Sequence, residues 1–382
     1  MEAKLLKLSG RKLKILSLNN PPLSLYVHLP WCEVQCPYCD FSITTDPVNQ
    51  QDQELAKAIT QDLKDSASLI NGRKFSSIYF GGGTPSLTSI DAMEEILEGI
   101  KQYPWDKNIE ITFEMNPRDV TKEKIQSLTK LGINRFSLGL QSYHDKELIG
   151  LGRNHDKASG IKAVNLLQDT NITIDLMYGI EHQTEASFKD SLEQFIASKA
   201  NHLSLYQLTI EPNTIFYKKE LKLPSEEVIE NMEHIAREVL ELNDFKQYEV
   251  SSWSKAGFES NHNVNYWQFG DFLGVGPGAH SKITLDEEIS RFRKIKPLNG
   301  YIKKQTMTDR TVVQGDELDM DLAMNILRIK NGINQDQIST LLPESFWKKY
   351  EVGVSEGLLL KNKVGTTDRG YQYLNETIKL FF

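Results

Sequence analysis

The stretch Tyr26-Val27-His28-Leu29-Pro30-Trp31-Cys32-Glu33-Val34-Gln35-Cys36-Pro37-Tyr38-Cys39-Asp40-Phe41 decides how the rest of the chain is read. Its cysteines stand at i, i+4 and i+7 directly after an apolar run, and they are the only three in 382 residues. An odd, local set cannot form a disulfide framework, so these are thiols kept reduced. Pro30 and Pro37 rule out a regular helix here. A compact loop that aims three thiols inward can wrap an iron-sulfur cubane, and three ligands leave one iron open as a reaction site. Two blander readings stay open on residue types alone. One is three buried structural cysteines; the other is a zinc site that borrows a fourth ligand, although only Cys36 and Cys39 have the usual C-x2-C spacing.

Outward from this loop, extended apolar runs recur at Leu25 to Leu29, Ser77 to Phe80, Ile109 to Met115, Arg135 to Leu140, Thr173 to Ile180 and His202 to Ile210. Between them lie helix-length segments with apolar residues three or four apart, such as Ile90, Met93, Leu97 and Ile100, or Phe188, Leu192, Phe195 and Ile196. Thr88 followed by Asp91 fits a capping pattern, and Thr121 and Thr184 stand where N-caps are expected. Six strand-helix alternations call for a parallel sheet with helices outside, either an open six-strand barrel or a doubly wound sheet. Both put a site at the carboxyl ends of the strands. A helix is expected over Glu226 to Leu242, then a long irregular stretch from Tyr248 to His280. Helices around Leu322 to Ile329 and Phe346 to Val354 precede two short strand-like runs, Leu358 to Lys361 and Lys363 to Thr366. That order suggests a winged-helix-like end.

Composition narrows the function. Apolar residues make up 39% and charged residues 25%, the profile of a folded globular protein. A net charge of −8 gives no basic field for nucleic acid. No run is long and apolar enough to span a bilayer, and the first twenty residues lack a signal-peptide core, so the expected location is the cytoplasm. Lys4, Lys7, Arg11, Lys12 and Lys14 among leucines leave room for peripheral membrane contact, with a lead-in strand the simpler reading.

With C-x3-C-x2-C closing a first strand, the chain resembles the radical SAM superfamily. The resemblance implies a partial (βα)6 barrel and a 4Fe-4S cluster on Cys32, Cys36 and Cys39, whose open iron takes S-adenosylmethionine. Gly81-Gly82-Gly83-Thr84-Pro85-Ser86 allows close backbone approach to a ligand. By resemblance, Gly82, Gly83 and Thr84 of that loop contact the methionine amino group. Likeness to the oxygen-independent coproporphyrinogen oxidase group adds Tyr26, Tyr38, Glu114, Gln141, Arg153 and Asp175 to the S-adenosylmethionine site, with Tyr38 beside adenine and Arg153 near the carboxylate.

Two features place the chain within that group. Porphyrinogen-oxidising members carry a further cysteine two places after the third ligand, where this chain has Phe41. His262-Asn263-Val264-Asn265-Tyr266-Trp267 matches the HNxxYW motif of the HemW heme chaperones. A neutral imidazole can ligate heme iron, and Tyr266 and Trp267 offer flat faces to a macrocycle. The resemblance therefore implies a heme chaperone with heme at His262, Asn263, Tyr266 and Trp267, and an acceptor protein as partner. The alternative is an oxygen-independent coproporphyrinogen III dehydrogenase. Whether the scaffold acts as an enzyme stays open, no catalytic residue is assigned, and a homodimer has no sequence signature. The expected segments are a lead-in at 1–24, a barrel at 25–245, the HNxxYW segment at 246–300 and a winged-helix-like α+β domain at 301–382. One departure stands out: after Tyr178-Gly179 the family reads Leu-Pro-Gly-Gln-Thr, and this chain reads Ile180-Glu181-His182-Gln183-Thr184. His182 reads as a solvated loop residue and not as a catalytic base.

Overall fold

The computed structural model describes residues 21–45, 51–286, 288–304, 307–338 and 342–382. The expected lead-in at 1–24 therefore lies almost wholly outside the described residues. Six strands run parallel and in sequence order: β1 (Leu23–Leu29), β2 (Phe75–Gly82), β3 (Trp105–Met115), β4 (Arg135–Gln141), β5 (Ile172–Tyr178) and β6 (His202–Gln207). A doubly wound sheet reverses its strand order at a switch point. Here the order runs from β1 to β6 without reversal, and right-handed crossovers then place the connecting helices on one side. The other side is the hollow of a half-barrel, which decides between the two architectures left open above.

Local chemistry starts and stops the elements much as expected. Thr121 and Thr184 cap their helices by accepting from Lys124 N and Ser187 N. The helix Ile90–Ile100 is capped by Ser89, which accepts from Ala92 N, and not by Thr88. Thr88 instead closes the short turn Pro85–Leu87 in an extended conformation. That helix buries Met93, Ile96, Leu97 and Ile100 against the sheet, and each such side chain stabilises the fold by about 1.5–3 kcal/mol.

Both edges of the half-barrel are extended. Beyond β6 lie β8 (Ser252–Ser254) and β7 (Lys246–Glu249), antiparallel; beyond β1 lies β9 (Asp271–Val275), parallel to it. Next to β9 follow β10 (His280–Leu285), β11 (Glu288–Lys294) and β12 (Met307–Val313), giving a twelve-stranded sheet. The stretch Tyr248 to His280, expected to be irregular, is thus ordered. Its strands are three to five residues long and its helix, Asn261–Trp267, has seven, too short for a hydrophobic period to show. The sheet also continues through β12, past the boundary expected at 300.

Two buried charge clusters fix the β9–β12 flank to the barrel. Asp271, fully buried, accepts from Arg73 at 2.7 Å and Lys282 at 2.9 Å, and Asp62 takes Lys294 and the Tyr301 hydroxyl. A second core gathers Leu322, Ile326, Phe346, Tyr350 and Phe381 from the helices Asp316–Ile326 and Glu344–Ser355 and the C-terminal segment. With it goes a two-stranded pair, β13 (Ile333–Asn334) and β14 (Lys363–Val364). The hairpin expected over 358–366 is reduced to a single bridge, Leu359 to Thr366, because β14 pairs outward with β13.

Between β8 and β9 the chain crosses the amino end of the hollow. The Phe258 carbonyl accepts from Arg135 of β4 at 3.1 Å, and Glu110 of β3 accepts from His262 N at 3.2 Å. His262 Nδ1 lies 3.0 Å from Ser77 Oγ of β2, and Asn265 Nδ2 donates to Ser24 Oγ of β1 at 2.8 Å. One short segment thus touches four successive strands.

Candidate functional site at the mouth of the half-barrel

The cysteine loop leaves β1 at Leu29 and folds back on itself. Cys32 N donates to Thr44 O at 3.0 Å, Thr44 N to Pro30 O at 2.8 Å, and Cys39 N to Cys36 O at 3.0 Å. The returning limb is held by His28, whose Nε2 is 2.7 Å from Ser42 O while its Nδ1 is 3.0 Å from the Tyr26 hydroxyl. The glycine loop after β2 lies directly against this turn: Gly83 N donates to Leu29 O at 2.9 Å and Thr84 N to Trp31 O at 2.6 Å. A Cβ on Gly83 would stand 2.4 Å from the Trp31 carbonyl, and one on Gly82, at φ +113°, would stand 2.6 Å from the His28 ring. These two glycines are needed for the approach of one loop to the other, a requirement in addition to the expected approach to a ligand.

A cavity of about 400 Å³ opens at the carboxyl ends of the strands. Cys32, Cys36 and Cys39 line it together with Tyr38, Gly82, Gly83, Thr84, Glu114, Gln141, Arg153 and Asp175. Tyr26 stands behind this wall, its ring stacked on Tyr79 at 6.3 Å. Tyr79 and Tyr206 also face the cavity, and sequence reading missed both. They alternate with buried apolar neighbours at the inward positions of β2 and β6, a pattern that in sequence reads as core.

Charge in the cavity is organised around two acids. The Tyr79 hydroxyl donates to Glu114 Oε1 at 2.7 Å, and Ser137 donates to Asp175 Oδ2 at 3.0 Å. Burial pushes Glu114 up to about 7 and Asp175 up to about 6, so both are poised between charge states near neutrality. Across from them Arg153 reaches Cys36 Sγ at 3.6 Å with Nη1 and donates to Gly139 O at 2.7 Å with Nη2, while its buried Nε has no partner among the described residues. Such an orphan donor suits an incoming carboxylate.

The thiols fit a cluster better than a single ion. Among the described residues, no group of three or more His, Cys, Asp or Glu side chains is arranged to hold one metal ion. The three cysteines all line the cavity, half-buried and unpaired as disulfides. A cubane takes one thiolate on each of three separate irons. Burial raises Cys32 up to about 11, and a metal would displace that proton on binding.

The HNxxYW residues are not in this cavity. His262 is buried at the floor of the hollow, its ring 5.0 Å from that of Tyr79, and burial pushes it down to about 3, so the imidazole is neutral. Tyr266 packs on Phe272 at 5.0 Å, and the Arg328 guanidinium covers the Trp267 ring at 4.3 Å. Asn263 lies on the same short helix and is partly exposed.

The altered loop at 180–184 turns through a left-handed residue. His182 is exposed and adopts φ +69°, a left-handed conformation that glycine takes freely and other residues take at a cost of roughly 1–2 kcal/mol. His182→Gly is expected to raise stability by about 1 kcal/mol in denaturant unfolding and to leave ligand binding unchanged. A loss of stability would show that the imidazole makes a contact of its own.

Comparison with known proteins bears on the family and the fold. Residues 26–195 match the model of the radical SAM superfamily. The heme chaperone HemW of Haemophilus influenzae is 37% identical over 94% of this chain and 98% of its own length. The heme chaperone HemW of Buchnera aphidicola from Acyrthosiphon pisum is 36% identical over the same shares. Among solved structures, coproporphyrinogen III oxidase (HemN) from Escherichia coli, a radical SAM enzyme, superposes with a TM-score of 0.79 over 95% of this chain and 90% of its own. At 20% identity that likeness speaks for the fold alone.

Proposed function

The chain belongs to the radical SAM superfamily and, within it, to the family of the HemW heme chaperones, and on that premise we propose that it binds heme and passes it to an acceptor protein while carrying a 4Fe-4S cluster with exchangeable S-adenosylmethionine. The observation that carries the cofactor reading is a single cavity walled by all three cysteines and by eight of the nine residues assigned to S-adenosylmethionine. Cys32, Cys36 and Cys39 would hold the cluster. When bound, it supplies an open iron that chelates the amino and carboxylate groups of S-adenosylmethionine. Glu114 and Asp175 place negative charge where a sulfonium cation would lie, Arg153 offers a donor to the carboxylate, and Tyr38 offers a ring face. Tyr26 acts from behind, through His28 and the returning limb of the loop.

Heme as cargo is supported by the HNxxYW helix and by Phe41 at the position where the oxidases carry another cysteine. Phe41 is exposed at the cavity rim. The location proposed is the cytoplasm; among the described residues, no helix is long and apolar enough to cross a membrane.

The deciding experiment reconstitutes the cluster anaerobically and assays heme binding and coproporphyrinogen III turnover on one preparation. Heme binding without turnover is expected. Turnover would favour the dehydrogenase reading and sink the chaperone one. In the same assay His262→Ala is expected to weaken heme by at least tenfold, about 1.4 kcal/mol. Unchanged affinity would remove this helix from the heme site.

A further inference from the structure

Tyr79 and Gly81 stand two residues apart on β2, so they share one face of the strand. On the neighbouring strand β3 stands Glu114. The Tyr79 hydroxyl donates to Glu114 Oε1 at 2.7 Å, and the Gly82 N–H donates to the same carboxylate. A Cβ on Gly81 would lie 2.9 Å from Tyr79 Cε1 and 3.1 Å from Glu114 Oε1. The first glycine of the triplet therefore leaves the space in which the phenol reaches the acid, whereas Gly82 and Gly83 let the two loops meet. The Tyr79 ring is held independently of this bond: it lies 5.0 Å from the His262 ring and 6.3 Å from the Tyr26 ring.

A carboxylate that accepts two hydrogen bonds is fixed in rotation, and both bonds favour its charged form. Burial and the nearby Asp175 carboxylate act the other way. We propose that Tyr79 is a positioning residue of the S-adenosylmethionine site, whose hydroxyl holds the Glu114 carboxylate toward the cavity in the charged form that a sulfonium cation pairs with. This rests on the S-adenosylmethionine reading of the cavity and adds to it a side chain that does not itself need to touch the ligand.

The groups around Glu114 give the proposal a pH signature. Tyr26 on β1, Tyr79 on β2, Asp175 on β5 and Tyr206 on β6 surround it, with Arg153 across the cavity. Burial pushes the three phenols above their ordinary range, so they stay neutral, and Arg153 stays charged. Asp175, at about 6, has its hydrogen bond from Ser137 and none from Tyr79. Glu114 stands at about 7 with the phenol bond in place, and that bond lowers it; loss of the hydroxyl moves it higher. At low pH the ligand must then ionise the acid against a larger cost than in wild type. Once the pH exceeds the pKa in both proteins, that extra cost is gone.

The test uses Tyr79→Phe, which keeps the ring and removes the hydroxyl, in the reconstituted full chain. It is titrated at pH 6.5 and at pH 9 with S-adenosylmethionine and with S-adenosylhomocysteine, the neutral thioether. Iron content per chain, read beside each titration, is expected to match wild type and so to show an intact site. Loss of one hydrogen bond to a charged group is expected to weaken S-adenosylmethionine about tenfold at pH 6.5. At pH 9 the variant is expected to come within threefold of wild type, and the thioether to stay within threefold at both values. S-adenosylmethionine affinity within threefold of wild type at pH 6.5 overturns the proposal. A deficit of equal size at both pH values overturns it too, as does equal weakening of the two ligands, because either marks lost packing and not a lost charge. A wild-type chain that takes up the cluster and binds no S-adenosylmethionine removes the reading of the cavity and the role of Tyr79 together.

Discussion

Cys36→Ala is expected to give a folded chain that retains no iron above background after anaerobic reconstitution and shows no iron-sulfur absorbance. The side chain of Cys36 meets Arg153 at 3.6 Å and the Tyr38 side chain, and none of the backbone hydrogen bonds that close the loop depends on it. The loop is closed by backbone bonds from Cys32 to Thr44 and from Thr44 to Pro30, and the Pro37 carbonyl is held by Phe216 N at 2.9 Å. Loss of the thiol therefore removes a ligand without removing the cradle. S-adenosylmethionine affinity is expected to fall with the cluster by at least a hundredfold, about 2.7 kcal/mol, because the open iron goes with it. Circular dichroism and thermal unfolding of the iron-free proteins should coincide for variant and wild type. Full iron content in the variant would mean that the cluster sits elsewhere or that the three thiols are not its ligands.

Glu114→Gln should move stability and binding in opposite directions. The carboxyl lies at the cavity floor with a folded pKa of about 7 against an ordinary value of 4.5. For a raised acid, the stabilising contribution is fully present below 4.5 and is lost as pH rises through about 7. At pH 8 the ligand-free protein thus holds an unfavourable buried charge. Glutamine keeps an acceptor for the Tyr79 hydroxyl and carries no charge, so the ligand-free variant is expected to be more stable than wild type by about 1–2 kcal/mol at pH 8. The two should converge near pH 5. The same substitution removes negative charge from the place where a sulfonium would lie, and reconstituted protein is expected to bind S-adenosylmethionine about tenfold more weakly. Thermal melts across pH 5 to 8 and a binding titration at pH 8 decide the matter. A variant less stable than wild type at pH 8 would show that Glu114 is charged and satisfied in the empty cavity.

These expectations trace to residues of unequal legibility. The cysteine loop, the glycine loop and β1 to β6 could be read directly, because buried parallel strands are continuous apolar runs and the loops carry Pro, Gly and Cys at fixed offsets. Glu114, Gln141 and Asp175 were visible as polar residues in or at the ends of such strands. Tyr79 and Tyr206 were hidden, since an aromatic residue in an apolar strand reads as core until the hollow of the barrel is known. The segment 246–280 was unreadable for a different reason. Its strands pair with β6 and β1, partners far away in sequence, and local periodicity carries no trace of them. His262 was visible as a motif, but its burial against Ser77 and Tyr79 depends on packing that no spacing reveals.

The segment between β8 and β9 also has a mechanical meaning. A half-barrel is an arc of strands, and an arc with free ends can flatten or tighten. This segment ties the β6 edge to the β1 edge across the amino end and is fastened on the way to β4, β3, β2 and β1. It is the chord of the arc. Its length sets the curvature of the sheet, and that curvature sets the distance across the mouth between the cysteine loop on β1 and Tyr206 on β6. A residue added to this stretch, which reads as irregular in the sequence, would change the span of the cavity at the opposite end of the molecule.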